Sequence, residues 1–180
     1  MARVSREAFV PTELREEAAF DEALPIGFGQ TISQPYVVAL MTSVATIDHG
    51  ARVLEIGTGS GFQAAVLCAL GAEVYSIEIV PELHARAKQA LDTLGYRVHL
   101  RQGDGSLGWP EASPFESILV TAAPRVVPPA LFEQLAIGGR LVAPVGSDAQ
   151  VLQLWTREPS GLRVKTLLPV RFVPLTGAGA

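Results

Sequence analysis

Three sets of residues carry the chemistry legible in this chain. Gly57-Thr58-Gly59-Ser60-Gly61 follows an apolar run and precedes an apolar helical pattern. Glycines at alternate positions let the backbone turn tightly and leave no Cβ between it and a ligand. A helix starting there aims free N–H groups and its positive dipole end back at the turn. About twenty residues on, Glu78 closes a second β-rich run, where doubly wound folds place an acid for two ribose hydroxyls. One carboxylate can accept both hydrogen bonds. Asp104, between Gly103 and Gly105, is positioned either to meet an adenine amino group or simply to form a turn. All three sit where strands of such a sheet end, and together they outline an adenosine-sized crevice.

The glycine turn departs from the dinucleotide pattern, Gly-x-Gly-x-x-Gly, because Phe62 takes the third glycine's place. A bulky ring there conflicts with a pyrophosphate against the helix start, whereas the amino-acid end of S-adenosylmethionine suits the spacing. Ser33 ends a glycine-containing loop and reads as the N-cap of a helix with Pro35 in its first turn. Its hydroxyl either caps that helix or serves a reaction. His49, His84 and His99 are scattered and read as structural, and no Cys/His spacing suggests a metal. Cys68 stands alone in an apolar helical pattern, which excludes a disulfide framework and predicts a buried, reduced thiol.

The elements that must position these groups alternate. Strands are predicted over 52–56, 73–77, 98–102, 116–121 and 140–145. The intervening helices have apolar faces formed by Phe62, Ala65, Val66, Ala69 and Leu70, then by Leu83, Ala87, Leu91 and Leu94, then by a short segment over 128–135 stopped by Gly138-Gly139. Another helix is expected after Ser33, with Val37, Val38, Leu40, Met41 and Val44 facing inward. The segment 23–35, with two glycines and two prolines, predicts no regular element. Alternating strands and helices mean a parallel sheet covered on both faces, doubly wound. Segments 151–156 and 164–173, joined by Glu158-Pro159-Ser160-Gly161, form a hairpin, and the short link after 145 makes the sixth strand antiparallel to the fifth. The expectation is one Rossmann-like α/β domain over 1–180. Its parts are a covering segment (1–50), a cofactor-binding core (51–145) and a C-terminal hairpin (146–180).

Apolar residues make up 48% of the chain and charged ones 18%, which excludes a disordered polymer. A formal charge of −4 without a basic stripe argues against a nucleic-acid binder. No signal core or bilayer-length apolar run is visible, so a cytoplasmic location without membrane attachment is expected.

Several segments in order resemble the protein-L-isoaspartate O-methyltransferases, which methylate isoaspartyl residues. They are Arg6-Glu7-Ala8-Phe9-Val10-Pro11, Ala23-Leu24-Pro25-Ile26-Gly27 and Gly29-Gln30-Thr31-Ile32-Ser33-Gln34-Pro35-Tyr36. The glycine turn, Gly103-Asp104-Gly105, Gly108-Trp109-Pro110, Pro114-Phe115 and Pro169-Val170-Arg171-Phe172-Val173-Pro174-Leu175 follow. Many methyltransferases share the glycine turn, but Gln-Thr-Ile-Ser-Gln-Pro is specific to this family. The resemblance implies that the domain has the Rossmann-like S-adenosylmethionine-dependent methyltransferase fold, that Ser33 is the active-site serine and that Thr31 and Ile32 lie beside the methyl group. It implies S-adenosylmethionine contacts at Glu55, Gly57, Thr58, Gly59, Ser60, Gly61, Glu78, Ile79, Asp104, Gly105 and Thr176 as well. Ile32, Ser33, Val173 and Pro174 would meet the substrate, an isoaspartyl protein or peptide. Relative to the family, the chain reads as an N-terminally short member that also stops just past Thr176, and a monomer is expected.

The chemistry suits the residues. A carboxylate acceptor, with a pKa of about 4, is ionised at neutral pH and needs no base. Ser33 is expected to orient the acceptor, with the loop 27–33 closing over the cofactor. After the fourth strand the chain reads Thr121-Ala122-Ala123-Pro124, without the Asp/Asn-Pro-Pro-aromatic grip of nucleic-acid amine methyltransferases. A small-molecule carboxyl or hydroxyl methyltransferase, or a non-catalytic cofactor-binding relative, remains an alternative.

Overall fold

The computed structural model describes residues 4–178, so the outermost ends of the expected domain, 1–3 and 179–180, lie outside the described residues. The chain opens with 3₁₀ turns at Arg6–Phe9 and Thr12–Glu17. A two-stranded ribbon follows, β1 (Leu24–Gly27) and β2 (Gln30–Ile32), then α1 (Pro35–Ala45). The central alternation is β3 (Arg52–Ile56), α2 (Phe62–Ala69), β4 (Glu73–Glu78), α3 (Pro81–Thr93) and β5 (Val98–Gln102). After it come β6 (Phe115–Val120), α4 (Pro129–Glu133), β7 (Leu135–Val145), β8 (Gln150–Glu158) and β9 (Gly161–Val170).

The main sheet runs β5-β4-β3-β6-β7-β8-β9. Strands β3 to β7 are parallel, and β7–β8 and β8–β9 are antiparallel. The order reverses between β3 and β6, the switch point where open α/β sheets bind ligands beyond the strands' carboxyl ends. Leu54, Ile118, Leu119 and Leu141 are fully buried, as expected of strands covered on both faces.

Several local expectations are corrected. The segment 23–35 does contain regular structure: β1 and β2 pair antiparallel across Phe28 and Gly29, both with positive φ (54° and 70°). A tight hairpin of that hand accommodates Pro25 because the ribbon is all edge. Ser33 is not the N-cap of α1: Gln34 occupies that place and its own side chain makes no capping hydrogen bond. Leu40 and Val44 pack only at the margin of the core, whose α1 face is Val37, Val38, Met41 and Ala45. Helix α2 is buried continuously from Phe62 to Leu67, because it is wedged between neighbours, and Leu70 is exposed. Leu94, the last residue of the α3 stripe, is exposed too. Gly138 and Gly139 do not stop a helix; α4 is already finished at Glu133, and the glycines form an irregularity inside β7, between its pairings with Phe115 and Ser117. The last strand ends at Val170 rather than 173, so the chain beyond it is free to leave the sheet. Cys68 is partly rather than fully buried. Burial and the charge of Glu55 push its thiol up to about 11, so it is un-ionised and inert at neutral pH.

Candidate functional site

A crevice of about 840 Å³, open to solvent, lies at the carboxyl ends of β3, β4 and β6. Its floor is the glycine turn. Gly57, Gly59 and Gly61 all have positive φ (94°, 54° and 91°), which L side chains resist. A Cβ on Gly57 would lie 2.6 Å from Thr121 Oγ1, so only glycine fits the gap between β3 and β6. Thr121 Oγ1 lies 2.9 Å from Ile56 O and 2.6 Å from Gly57 O, and its hydroxyl anchors the start of the turn.

Two carboxylates flank the turn. Glu78 Oε2 accepts the Gly59 N–H at 2.7 Å and Oε1 accepts the Val80 N–H at 2.9 Å. Each oxygen keeps a further lone pair for a hydroxyl donor. Glu55 is wholly buried at the crevice wall. Burial pushes its carboxyl up to about 8; a Ser76 hydrogen bond works against this and the nearby Glu78 charge adds to it. Ser76 Oγ donates to Glu55 Oε2 at 2.5 Å, and Thr58 Oγ1 lies 2.6 Å from Ser76 Oγ. Glu55 Oε1 is buried with no partner among the described residues. An orphaned acidic oxygen beside the cavity is where a cationic ammonium would be answered.

The upper wall comes from both chain ends. Gln30, Thr31, Ile32 and Ser33 arrive on β2 and the loop after it. The ribbon covers the turn as a fixed hairpin rather than as a free loop: Arg86 Nη1 donates to Ile26 O at 2.8 Å, and a Cβ on Gly59 would lie 3.5 Å from Ile26 Cδ1. From the other end, Val173, Pro174, Leu175 and Thr176 return over the sheet. Ala123 N donates to Val173 O and Leu175 N to Ala123 O, both at 2.8 Å. The Gln150 side chain pins Phe172 by both its backbone groups, and Asp104 Oδ2 accepts the Ala178 N–H at 2.7 Å.

The structure thus gathers Thr31, Ile32, Ser33, Glu55, Gly57, Thr58, Gly59, Ser60, Glu78, Ile79, Gly105, Val173, Pro174 and Thr176 around one space. Two expected residues stand aside. Gly61 faces α3, where a Cβ would lie 3.2 Å from Leu91. Asp104 forms the turn, accepting the Ser106 N–H at 2.9 Å besides that of Ala178. Burial works to raise its carboxyl, but these hydrogen bonds outweigh it and hold the group below the usual value. Phe62 borders the crevice, yet its ring is taken up by the core against Phe9 at 5.7 Å. None of the three histidines lines the space; His99 stacks on Tyr75 and pairs with Glu73. Sequence reasoning missed Gln30, Gln63, Thr121, Ala122 and Leu175. The run after the fourth strand was a signal for Thr121 and Ala122; Gln63, within a helix, gave none.

The floor, the partnerless Glu55 oxygen and the paired lone pairs of Glu78 fit S-adenosylmethionine, with an amino-acid end over the turn and a ribose beside β4. Comparison with known proteins agrees. The sequence profile of the protein-L-isoaspartate(D-aspartate) O-methyltransferases matches residues 1–180. The protein-L-isoaspartate O-methyltransferase 1 of Anaeromyxobacter sp. (strain Fw109-5) is 60% identical over 183 residues, covering 99% of this chain and 86% of that protein. The enzyme of the same name from Gloeobacter violaceus is 55% identical over 179 residues, covering 98% and 87%. A solved protein-L-isoaspartate O-methyltransferase superposes with a TM-score of 0.89 at 32% identity, covering 98% of this chain and 59% of its own. A Plasmodium falciparum structure, at 24% identity and a TM-score of 0.86, shares the fold. The chain belongs to the protein-L-isoaspartate(D-aspartate) O-methyltransferase family.

Proposed function

We infer that this chain transfers a methyl group from S-adenosylmethionine to the free carboxylate of L-isoaspartyl residues in damaged proteins and peptides. The observation that carries the reading is the meeting of the Gln30–Ser33 segment and the Val173–Thr176 segment above the glycine turn. When bound, the cofactor supplies a methyl group on a sulfonium, which leaves as a neutral thioether. Glu78 holds the ribose hydroxyls, the turn from Gly57 to Ser60 cradles the amino-acid end, and the unpartnered Glu55 Oε1 accepts a hydrogen bond from its ammonium.

Ser33 orients the acceptor. It is half-buried at the crevice and its hydroxyl makes no hydrogen bond among the described residues, so it is available to a carboxylate. No residue need take a proton, because the acceptor is already ionised. Ile32, Ile56, Ile77, Val173 and Leu175 make much of the wall apolar. Bringing opposite charges together is favoured where water is excluded and the partners are aligned. The methyl ester then closes to a succinimide without the protein's help, which begins repair.

The reading treats residues 1–180 as one cytoplasmic, monomeric domain whose partner is the damaged polypeptide. The charge of −4 supports a partner other than nucleic acid, and among the described residues no helix is long and apolar enough to cross a membrane. Incubation with labelled S-adenosylmethionine and matched isoaspartyl and aspartyl peptides tests the function. Label is expected only in the isoaspartyl sample; label in small-molecule acceptors alone, or binding without turnover, would overturn it.

A further inference from the structure

Arg6 does not line the crevice, yet it begins one of the motifs singled out in the sequence. It is 7% exposed, and the hydrogen bonds of its guanidinium go to backbone carbonyls. Nη1 donates to Ala18 O at 2.9 Å and to Phe20 O at 3.4 Å. Nη2 donates to Glu22 O at 2.7 Å and to Ser33 O at 3.1 Å. Nε is buried without a partner among the described residues. Burial disfavours the cation more than the nearby Asp21 charge favours it, and a well-packed apolar side chain at such a place is often as stable. What a guanidinium can do and an apolar group cannot is draw four carbonyls from two stretches of chain, 18–22 and Ser33, to one point.

One of those stretches carries Ser33. The serine lies between the end of β2 at Ile32 and the N-cap of α1 at Gln34. On its far side the Tyr36 N–H donates to Asp21 Oδ1 at 2.7 Å. Arg6 and Asp21 therefore tie both flanks of Ser33 to the turn over residues 18–22. The serine's own hydroxyl has no hydrogen-bond partner among the described residues.

We propose that Arg6 is a positioning residue for the methyl transfer, acting through the Ser33 carbonyl to set where the Ser33 hydroxyl meets the acceptor carboxylate. This rests on the reading of Ser33 as the acceptor-orienting residue. A displacement of about 1 Å in such a group lowers rates by orders of magnitude. Lysine at position 6 keeps the charge but cannot span the same carbonyls, and methionine keeps only the stem.

The test is a double-mutant cycle between Arg6→Lys and Ser33→Ala, read as kcat and KM on an isoaspartyl peptide. Calorimetric binding of S-adenosylhomocysteine and Tm are measured on every variant. Val4→Ala, a truncation of a buried side chain in the same N-terminal segment that borders neither the crevice nor the glycine turn, serves as the stability control. Arg6→Lys is expected to lower kcat/KM by about tenfold with S-adenosylhomocysteine affinity kept within about twofold, and to cost less than about twofold once Ser33 is alanine. Arg6→Met is expected to lose more than Arg6→Lys, whereas Val4→Ala should lower Tm without a comparable loss of activity. The same penalty in both backgrounds, cofactor affinity falling in step with activity, or a Val4→Ala loss equal to that of Arg6→Lys would overturn the proposal. If Ser33→Ala alone leaves kcat/KM unchanged, the Ser33 reading fails and takes the proposal with it. If Ser33→Ala is impaired and Arg6→Lys is not, only the positioning role fails.

Discussion

The Glu78 carboxylate accepts the Gly59 backbone N–H at 2.7 Å, so the acid expected to hold the ribose also fixes the middle of the glycine turn. Its two tasks follow from its four lone-pair sites, two of which serve the protein's own N–H groups. Glu78→Gln removes one acceptor oxygen and the charge. Hydrogen bonds to charged groups contribute about 1.5–3 kcal/mol, so affinity for S-adenosylhomocysteine should fall by about tenfold to a hundredfold. Calorimetry measures it, and unchanged affinity would remove Glu78 from the cofactor site.

Ser33→Ala should lower kcat on an isoaspartyl peptide by about tenfold or more while leaving S-adenosylhomocysteine binding within about twofold. Ser33 lines the upper wall and does not touch the floor of the turn. Steady-state kinetics beside calorimetry separate the two quantities, and equal kcat would discard the orienting role.

Stability should depend on pH through Glu55. Its folded carboxyl is raised from 4.5 to about 8 by burial. Between those values the folded chain holds a proton that the unfolded chain has released. The contribution is therefore fully present below about pH 4.5, falls by up to about 1.4 kcal/mol per pH unit above it, and is lost as pH passes about 8. Glu55→Gln lacks the titration, so its Tm should decline less than the wild type's between about pH 5 and pH 8. Parallel Tm curves would show that Glu55 is not the group responsible.

Gly57→Ala combines a left-handed backbone, about 1–2 kcal/mol for an L residue, with a Cβ aimed at the Thr121 hydroxyl. It should lower Tm and weaken cofactor binding. In Gly57→Ala/Thr121→Ala the close contact is gone and only the backbone term persists, so the double variant should be more stable than the sum of the two single changes. Simple additivity in thermal melts would argue against the contact.

What the sequence disclosed follows the physics of each element. Residues 52–56 and 98–102 were legible as strands to the residue, because short β-rich runs end abruptly at glycine or before an apolar helix. The ribbon at 24–32 was not: glycine and proline there signalled irregularity, and nothing in Phe28 advertises a positive φ. Most of the crevice could be named because its residues carry recognisable chemistry. Thr121 stands out in the sequence only by its place at the end of the fourth strand, since it acts on backbone carbonyls that any strand end possesses. Arg6 belongs to a recognisable motif, but its role became visible only when Ala18, Phe20, Glu22 and Ser33 were seen to converge.

The wall of the crevice is built from segments before β3 and after β9, whereas its floor is built between them. A chain whose residues 173–176 have not docked across Ala123 therefore has a floor without a complete wall, and methyl transfer waits on that docking.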